Sequence, residues 1–350
     1  MKKICPIVLL LATVGSIVSV ARAESAAAAD TKTVAVTADN FARAESDLYF
    51  SRLAKDGAFG QLRHRREPAR VDHQAVVRLN RDTLYSSGVF DLDAGPVTVT
   101  MPDPGHRYIS MQVIDEDQYT HNVFYGRGTH TLTRKQIGTR YVMVVVRTLV
   151  DTANQQDIDA VHRVQDAIKV EQKGGPGSFT VPDWDQASQK KVRDALLVLA
   201  STLPDTKGMF GMKGEIDPVR RLAGAASAWG GIPEKETLYL NVVPAKNDGK
   251  TVYTLKVKDV PVKGFWSVSV YNEKGYYEPN ALNAYNLSNV TARKEADGLV
   301  KIQFGDCDGK VPNCLPIMDQ WNYMVRLYMP SPALVSGAWK FPEAQPAEPR

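Results

Sequence analysis

Gly264-Phe265-Trp266-Ser267-Val268-Ser269-Val270-Tyr271 decides the fold class of this chain. Bulky apolar and small polar residues alternate along it, the period-2 pattern of a strand with two unlike faces. Comparable runs occupy 237–243, 251–257, 299–304 and 323–329, and Asn247-Asp248-Gly249 and Glu273-Lys274-Gly275 are turns that join antiparallel strands. Several such strands with little helix predict a β-rich domain over 206–342, a sandwich, jelly roll or barrel.

Toward the amino terminus the pattern changes twice. Residues 154–170 place Ile158, Val161, Val164 and Ile168 at helical spacing, and 185–203 do the same with Val192, Ala195, Leu196 and Leu199. Gly174-Gly175-Pro176-Gly177 separates them, so 151–205 reads as a helical connector. Before it, strand-like runs at 75–79, 97–101, 108–114 and 141–149 follow a helix over 40–55, giving an amino-terminal β-rich domain over 39–150. The expected class is α+β, mostly β, with two antiparallel sandwich, jelly-roll or barrel-like domains and helices near their junction. Residues 24–38 are expected to be flexible, and the Pro-rich tail to be extended or disordered over 343–350.

Lys2 and Lys3, the apolar stretch 4–20 and Ala21-Arg22-Ala23 form the three regions of a secretory signal peptide, 1–23. The expected location is periplasmic or secreted, with cleavage after Ala23 and no membrane anchor afterwards. Without Lys2, Lys3 and Arg22 the formal net charge falls from +4 to +1. The basic run Arg63-His64-Arg65-Arg66 meets Glu67 at once and reads as a solvated loop, so nucleic acid is not an expected partner. Cleavage also leaves two cysteines, Cys307 and Cys314, around a Gly/Pro/Asn turn. Export predicts a local disulfide between them, worth ~2 kcal/mol by loop closure. No CxxC pair supports zinc.

Several segments carry a resemblance. Phe41-Ala42-Arg43-Ala44-Glu45, the stretch 80–86, 90–97 and Arg107-Tyr108 leading to Asp115 resemble the domain of unknown function numbered 1254. Phe210-Gly211, Ala228-Trp229-Gly230, 264–272, Ala296-Asp297-Gly298, 313–316, 326–330 and Gly337-Ala338-Trp339 resemble the domain of unknown function numbered 1214. Cys314 departs from the second pattern, standing where a tryptophan often precedes Leu-Pro. The resemblance implies a two-domain β-rich protein with helices near the junction, and no agreed reaction.

Three constellations carry candidate chemistry. Asn80-Arg81-Asp82-Thr83-Leu84-Tyr85 concentrates directional polar groups, suited to a sugar hydroxyl or a carboxylate; the alternative is a capped turn with Arg81 paired to an acid. Asp115, Asp117 and His121 would share a face if their strand continued, and can hold a hard cation or divide acid and base roles; the alternative is a solvated acidic loop. The tyrosines of the second domain, with Tyr276 and Tyr277 beyond a turn, can stack on sugar rings or serve as core. Asn80, Arg81, Asp82 and Tyr85 are expected to line a pocket with Asp115 and Tyr119. The weak catalytic candidates are Asp82, Asp115 and His121. No GxSxG, HExxH or P-loop occurs, no motif indicates a cofactor, and no metal is assigned. The expectation is an exported envelope protein binding a small polar, carbohydrate-like or envelope-derived ligand. A hydrolase with an Asp/His site and a structural or assembly protein stand as alternatives, and a homo-oligomer stays open.

Overall fold

The computed structural model describes residues 33–74 and 76–347. Its first part holds α1 (Phe41–Lys55), β1 (Arg63–His64), β2 (Thr83–Asp91), β3 (Val97–Met101), β4 (Ile109–Asp115), β5 (Thr120–Tyr125), β6 (Gly128–Leu132), α2 (Arg134–Ile137) and β7 (Tyr141–Leu149). There follow α3 (Gln155–Asp166), β8 (Lys169–Glu171), α4 (Gln186–Ala200) and α5 (Pro218–Ser227). The last part holds β9 (Thr237–Val242), β10 (Tyr253–Val257), β11 (Trp266–Tyr271), β12 (Asn286–Ser288), β13 (Val300–Phe304), β14 (Cys314–Leu315), β15 (Asn322–Tyr328), α6 (Pro332–Ser336) and β16 (Gln345–Pro346). The class is α+β, mostly β, with open and mainly antiparallel sheets.

Burial on two sides explains why 141–149 is apolar almost throughout. β7 is the middle strand of the sheet β1-β2-β7-β4-β5. Val142, Val144 and Val146 pack with Val97, Val99 and Met101 of the sheet β6-β3-β8, while Met143 and Val145 pack with Phe50 of α1. In the second half, Trp266, Val268 and Val270 of β11 enter a core with Leu255, Ile302, Phe304, Tyr323, Val325 and Leu327. The sheet β12-β11-β15-β9 thus packs on β14-β13-β10-β16, a sandwich.

The alternate residues of β11, Ser267, Ser269 and Tyr271, are buried too, by a segment of the first half. Tyr271 donates its hydroxyl to the Leu79 carbonyl at 2.9 Å, and the Arg78 amide donates to the Gly275 carbonyl at 2.7 Å. Gln74 and Tyr277 exchange two hydrogen bonds at 2.9 Å. Gln74 and residues 76–82 therefore form a clasp over the outer face of the second sandwich. Gly264 permits a further close approach: a Cβ there would lie 2.8 Å from the Tyr328 carbonyl and 3.2 Å from Tyr108. Around it Phe265 stacks on Tyr328 at 4.1 Å and meets Tyr108 edge-on at 5.1 Å. The chain from Thr33 onward belongs to one compact unit.

Several expectations change. The strand expected over 75–79 does not form along 76–79, because Arg78 adopts φ 51° and Val76 and Val77 stay exposed; Ala75 lies outside the described residues. The strand comes later, at Thr83–Asp91. Of the flexible stretch 24–38, residues 33–38 are docked: Val34 bridges to Trp184 and Val36 is buried. Of the tail 343–350, Gln345–Pro346 pairs with Tyr253 and Thr254 at the edge of β10 after Phe341 buries against Trp266. Proline suits that edge, where no ladder donor is required. Residues 1–23, where the signal peptide is expected, lie outside the described residues. No helix among the described residues is long and apolar enough to cross a membrane.

Cys307 and Cys314 are bonded, with Cα atoms 5.6 Å apart. Replacing both by serine is expected to lower the urea-unfolding free energy by about 2 kcal/mol and to leave a single cooperative transition, since the loop is short and local. Loss of folding would show that the bridge holds more than its loop.

Helix α1 turns acids inward. Glu45 pairs with Arg193, while Asp47 accepts from the Trp184 indole at 2.8 Å and leaves Oδ1 without a partner. Burial, against that hydrogen bond, pushes the Asp47 carboxyl up to about 6. A raised carboxyl pKa favours the fold below the unfolded value near 4, and this contribution is lost as pH rises through 6. The native protein should therefore lose up to about 3 kcal/mol between pH 4 and 6 relative to Asp47→Asn, read by urea unfolding at each pH. Parallel stability curves would refute a protonating Asp47.

Candidate functional site

The clasp ends in the motif that the sequence singles out. Asp82 is buried; it accepts from Ser267 Oγ at 2.5 Å and from Asn286 Nδ2 at 2.7 Å, both in the second half. Burial pushes its carboxyl up, and Arg326 with these two hydrogen bonds pulls it back. Arg326 is itself buried, donating to Ser269 Oγ at 2.9 Å and to the Arg78 carbonyl and Tyr271 hydroxyl at 2.8 Å. Arg81 pairs with no acid among the described residues. It donates to the Ala69 carbonyl and lies 5.3 Å from the Tyr285 ring. Asp82 thus sits inside an interface, not on an open rim.

Beside this lock runs a polar row across the first sheet. Strand register aligns Tyr85 with Arg147, Arg147 with Ser110, and Ser110 with Tyr125. Tyr85 lies 5.4 Å beneath the Arg147 guanidinium. Phenols of both halves surround that cation: Tyr85, Tyr239, Tyr108 and Tyr328 all act on its charge. Asn80 Nδ2 donates to the hydroxyls of Tyr85 at 3.3 Å and Tyr328 at 3.1 Å, and Tyr125 donates to Glu236 at 2.7 Å. Burial pushes the Tyr108 and Tyr125 phenols far up. Arg147 Nη1 is buried without a hydrogen-bond partner, and the buried hydroxyls of Tyr108 and Ser110 form no well-aligned hydrogen bond, though Ser110 acts on the Tyr108 phenol and Tyr108 on that of Tyr125. Tyr85 and Tyr239 keep part of their surface open.

Asp115, Tyr119 and His121 lie elsewhere. Thr83 pairs with Leu149 and Asp115 with Val142, seven positions apart along β7 or about 24 Å at 3.4 Å per residue. The structure therefore does not bring the 80–85 motif and Asp115 together. Asp115 Oδ1 accepts from the Asp117 and Tyr119 amides at 2.9 Å, and Oδ2 bonds His121 Nε2 at 2.8 Å. Asp117 does not join them, because the chain turns at Gln118 with φ 66° and Asp117 pairs with Arg43 at 2.9 Å. Tyr119 lies 4.4 Å beneath Arg221. His121 borders a cleft of about 50 Å³ with Glu215, Lys235 and Glu236. No group of three metal-ligating side chains occurs among the described residues.

Tyr277 is buried against Tyr271 at 4.6 Å and belongs to the clasp, whereas Tyr276 is half-buried and held by Asn272. A concavity of about 530 Å³ lies near the disulfide loop between exposed Arg293, Lys294 and Glu295. Its one buried polar lining residue, Gln303, already donates to the Gly305 and Asp306 carbonyls, so the junction is the better candidate. Sequence reasoning missed Arg147, Arg326, Tyr239, Ser267 and Asn286. One signal was available for the two arginines: each is the sole charge inside an otherwise uncharged strand run.

Removing the Asp82 carboxylate strands Arg326 without its buried counter-charge and leaves Ser267 and Asn286 without an acceptor. Asp82→Ala is expected to cost about 3–5 kcal/mol in urea unfolding. A loss below about 1 kcal/mol would show that the two halves are held by other contacts.

Among solved structures, the VPA0106 protein from Vibrio parahaemolyticus matches with a TM-score of 0.69 at 20% identity, covering 89% of this chain and 98% of that one. A putative uncharacterised protein from Burkholderia cenocepacia gives a TM-score of 0.47 at 13% identity, covering 83% and 84%. No curated protein matches the chain. The first likeness concerns the fold alone. Residues 59–136 match the family described as Protein of unknown function (DUF1254) and residues 243–332 the family described as Protein of unknown function (DUF1214), two matches that follow one another along the chain.

Proposed function

We propose that this is an exported binding protein whose ligand is a small polar, carbohydrate-like molecule held between the two β-rich halves. The observation that carries the reading is the buried Arg147 Nη1, which has no hydrogen-bond partner, beside the hydroxyls of Tyr108 and Ser110, which form no well-aligned hydrogen bond and find no partner beyond each other and Tyr125. Unsatisfied buried groups cost stability, so a site that keeps them together favours a molecule that fills them. Aromatic faces of Tyr85 and Tyr239 beside directional hydroxyls suit a sugar ring, which presents apolar faces and a polar rim. The leader sequence and the Cys307–Cys314 bridge both fit an oxidising compartment outside the cytoplasm. The acid–base alternative has the Asp115–His121 pair, but His121 borders a cleft of only about 50 Å³.

The test is a titration of the purified protein with a panel of neutral and acidic monosaccharides, followed by NMR and native mass spectrometry. At least one sugar should bind saturably, and Tyr239→Phe should weaken it about fivefold, the worth of one hydrogen bond, while the unfolding midpoint barely moves. Absence of saturable binding across the panel would overturn the reading.

A further inference from the structure

Arg147 stands apart from the other buried charges. Its residue is 8% exposed, Nη1 has no hydrogen-bond partner, and it makes no ion pair among the described residues. The contrast with Arg326 is direct: that guanidinium makes three hydrogen bonds and feels the charge of Asp82. Glu236, the carboxylate at the edge of the same row, is engaged by the Tyr125 hydroxyl instead. Leaving a guanidinium buried and unpaired is expensive, and a protein retains one where an anion arrives to pair with it.

The surroundings specify the anion further. Tyr85 and Tyr328 each accept from Asn80, so their own O–H protons remain to be donated, and no acceptor for either stands among the described residues. Ser110 and Tyr108 add two more buried hydroxyls, which find no partner beyond each other and Tyr125. A single guanidinium with neutral hydroxyl donors matches one negative charge spread over two oxygens. A phosphate dianion would call for a second free cation, and Arg326 is already committed.

We propose that Arg147 is a carboxylate receptor: the ligand of the junction carries a carboxylate that seats on the Arg147 guanidinium, flanked by the hydroxyls of Tyr85, Tyr108, Tyr328 and Ser110. The inference rests on the polar-ligand reading above and narrows it to acidic molecules such as sugar acids. Arg147 is then kept for recognition and not for stability.

Calorimetric titration of the folded protein with D-glucuronate, methyl D-glucoside and inorganic phosphate tests it. Glucuronate should bind at least tenfold more tightly than the glucoside. Arg147→Gln should erase that preference, and Arg147→Lys, which keeps the charge but loses the fork, should keep only part of it. The ligand-free Arg147→Met protein should unfold no earlier than the native one, a readout independent of any sugar. Equal affinity for both sugars, a preference that survives in Arg147→Gln, or phosphate binding more tightly than glucuronate would overturn the carboxylate receptor and leave the polar-ligand reading standing. Binding of neither sugar would overturn both. If Arg147→Gln and Arg147→Met do not fold, the arginine is structural, and full retention of the preference in Arg147→Lys would overturn the proposal.

Discussion

The rest of the structure depends on one buried carboxylate crossing between the halves. Asp82 leaves the first half, enters the outer face of the second sandwich, and is met by Ser267, Asn286 and the field of Arg326. Because a charge in that position is tolerated only with its partners in place, the geometry of clasp and sheet is narrowly specified. Everything nearby inherits this precision: the position of Asn80, the two tyrosine hydroxyls it bridges, and the distance between the Arg147 row and Tyr239. A contact that holds the halves together therefore also shapes the space between them.

Much of the fold was legible because the strands announce themselves. The runs at 97–101, 108–114, 141–149, 251–257 and 323–329 are apolar or alternating, and the structure places strands within a residue or two of each. Tertiary context decided the exceptions. Val76 and Val77 look like strand residues, yet the clasp uses their backbone as a crossing, which propensity cannot foresee. The tail reads as disordered by composition, but Phe341 and an open sheet edge capture it.

The site was only half legible, for a physical reason. A motif such as Asn80 to Tyr85 is visible as a density of polar groups, but whether those groups meet solvent, a ligand or another domain is set by residues two hundred positions away. Ser267 and Asn286 carry no local signal at all. Arg147 and Arg326 do carry one, since a lone charge within an apolar strand must either find a partner or serve as one. The two arginines then part ways: one is answered by Asp82, the other by no acid among the described residues.

The short strand at the carboxyl end has a consequence for handling the protein. Gln345–Pro346 covers part of the β10 edge, and the Ala347 amide reaches the Val252 carbonyl beside it. A chain trimmed before Gln345 would present β10 as an unpaired edge, free to accept a strand from another molecule. Shortening the tail for crystallisation, or fusing a rigid partner close to Phe341, would trade a tidy terminus for a surface that invites edge-to-edge aggregation.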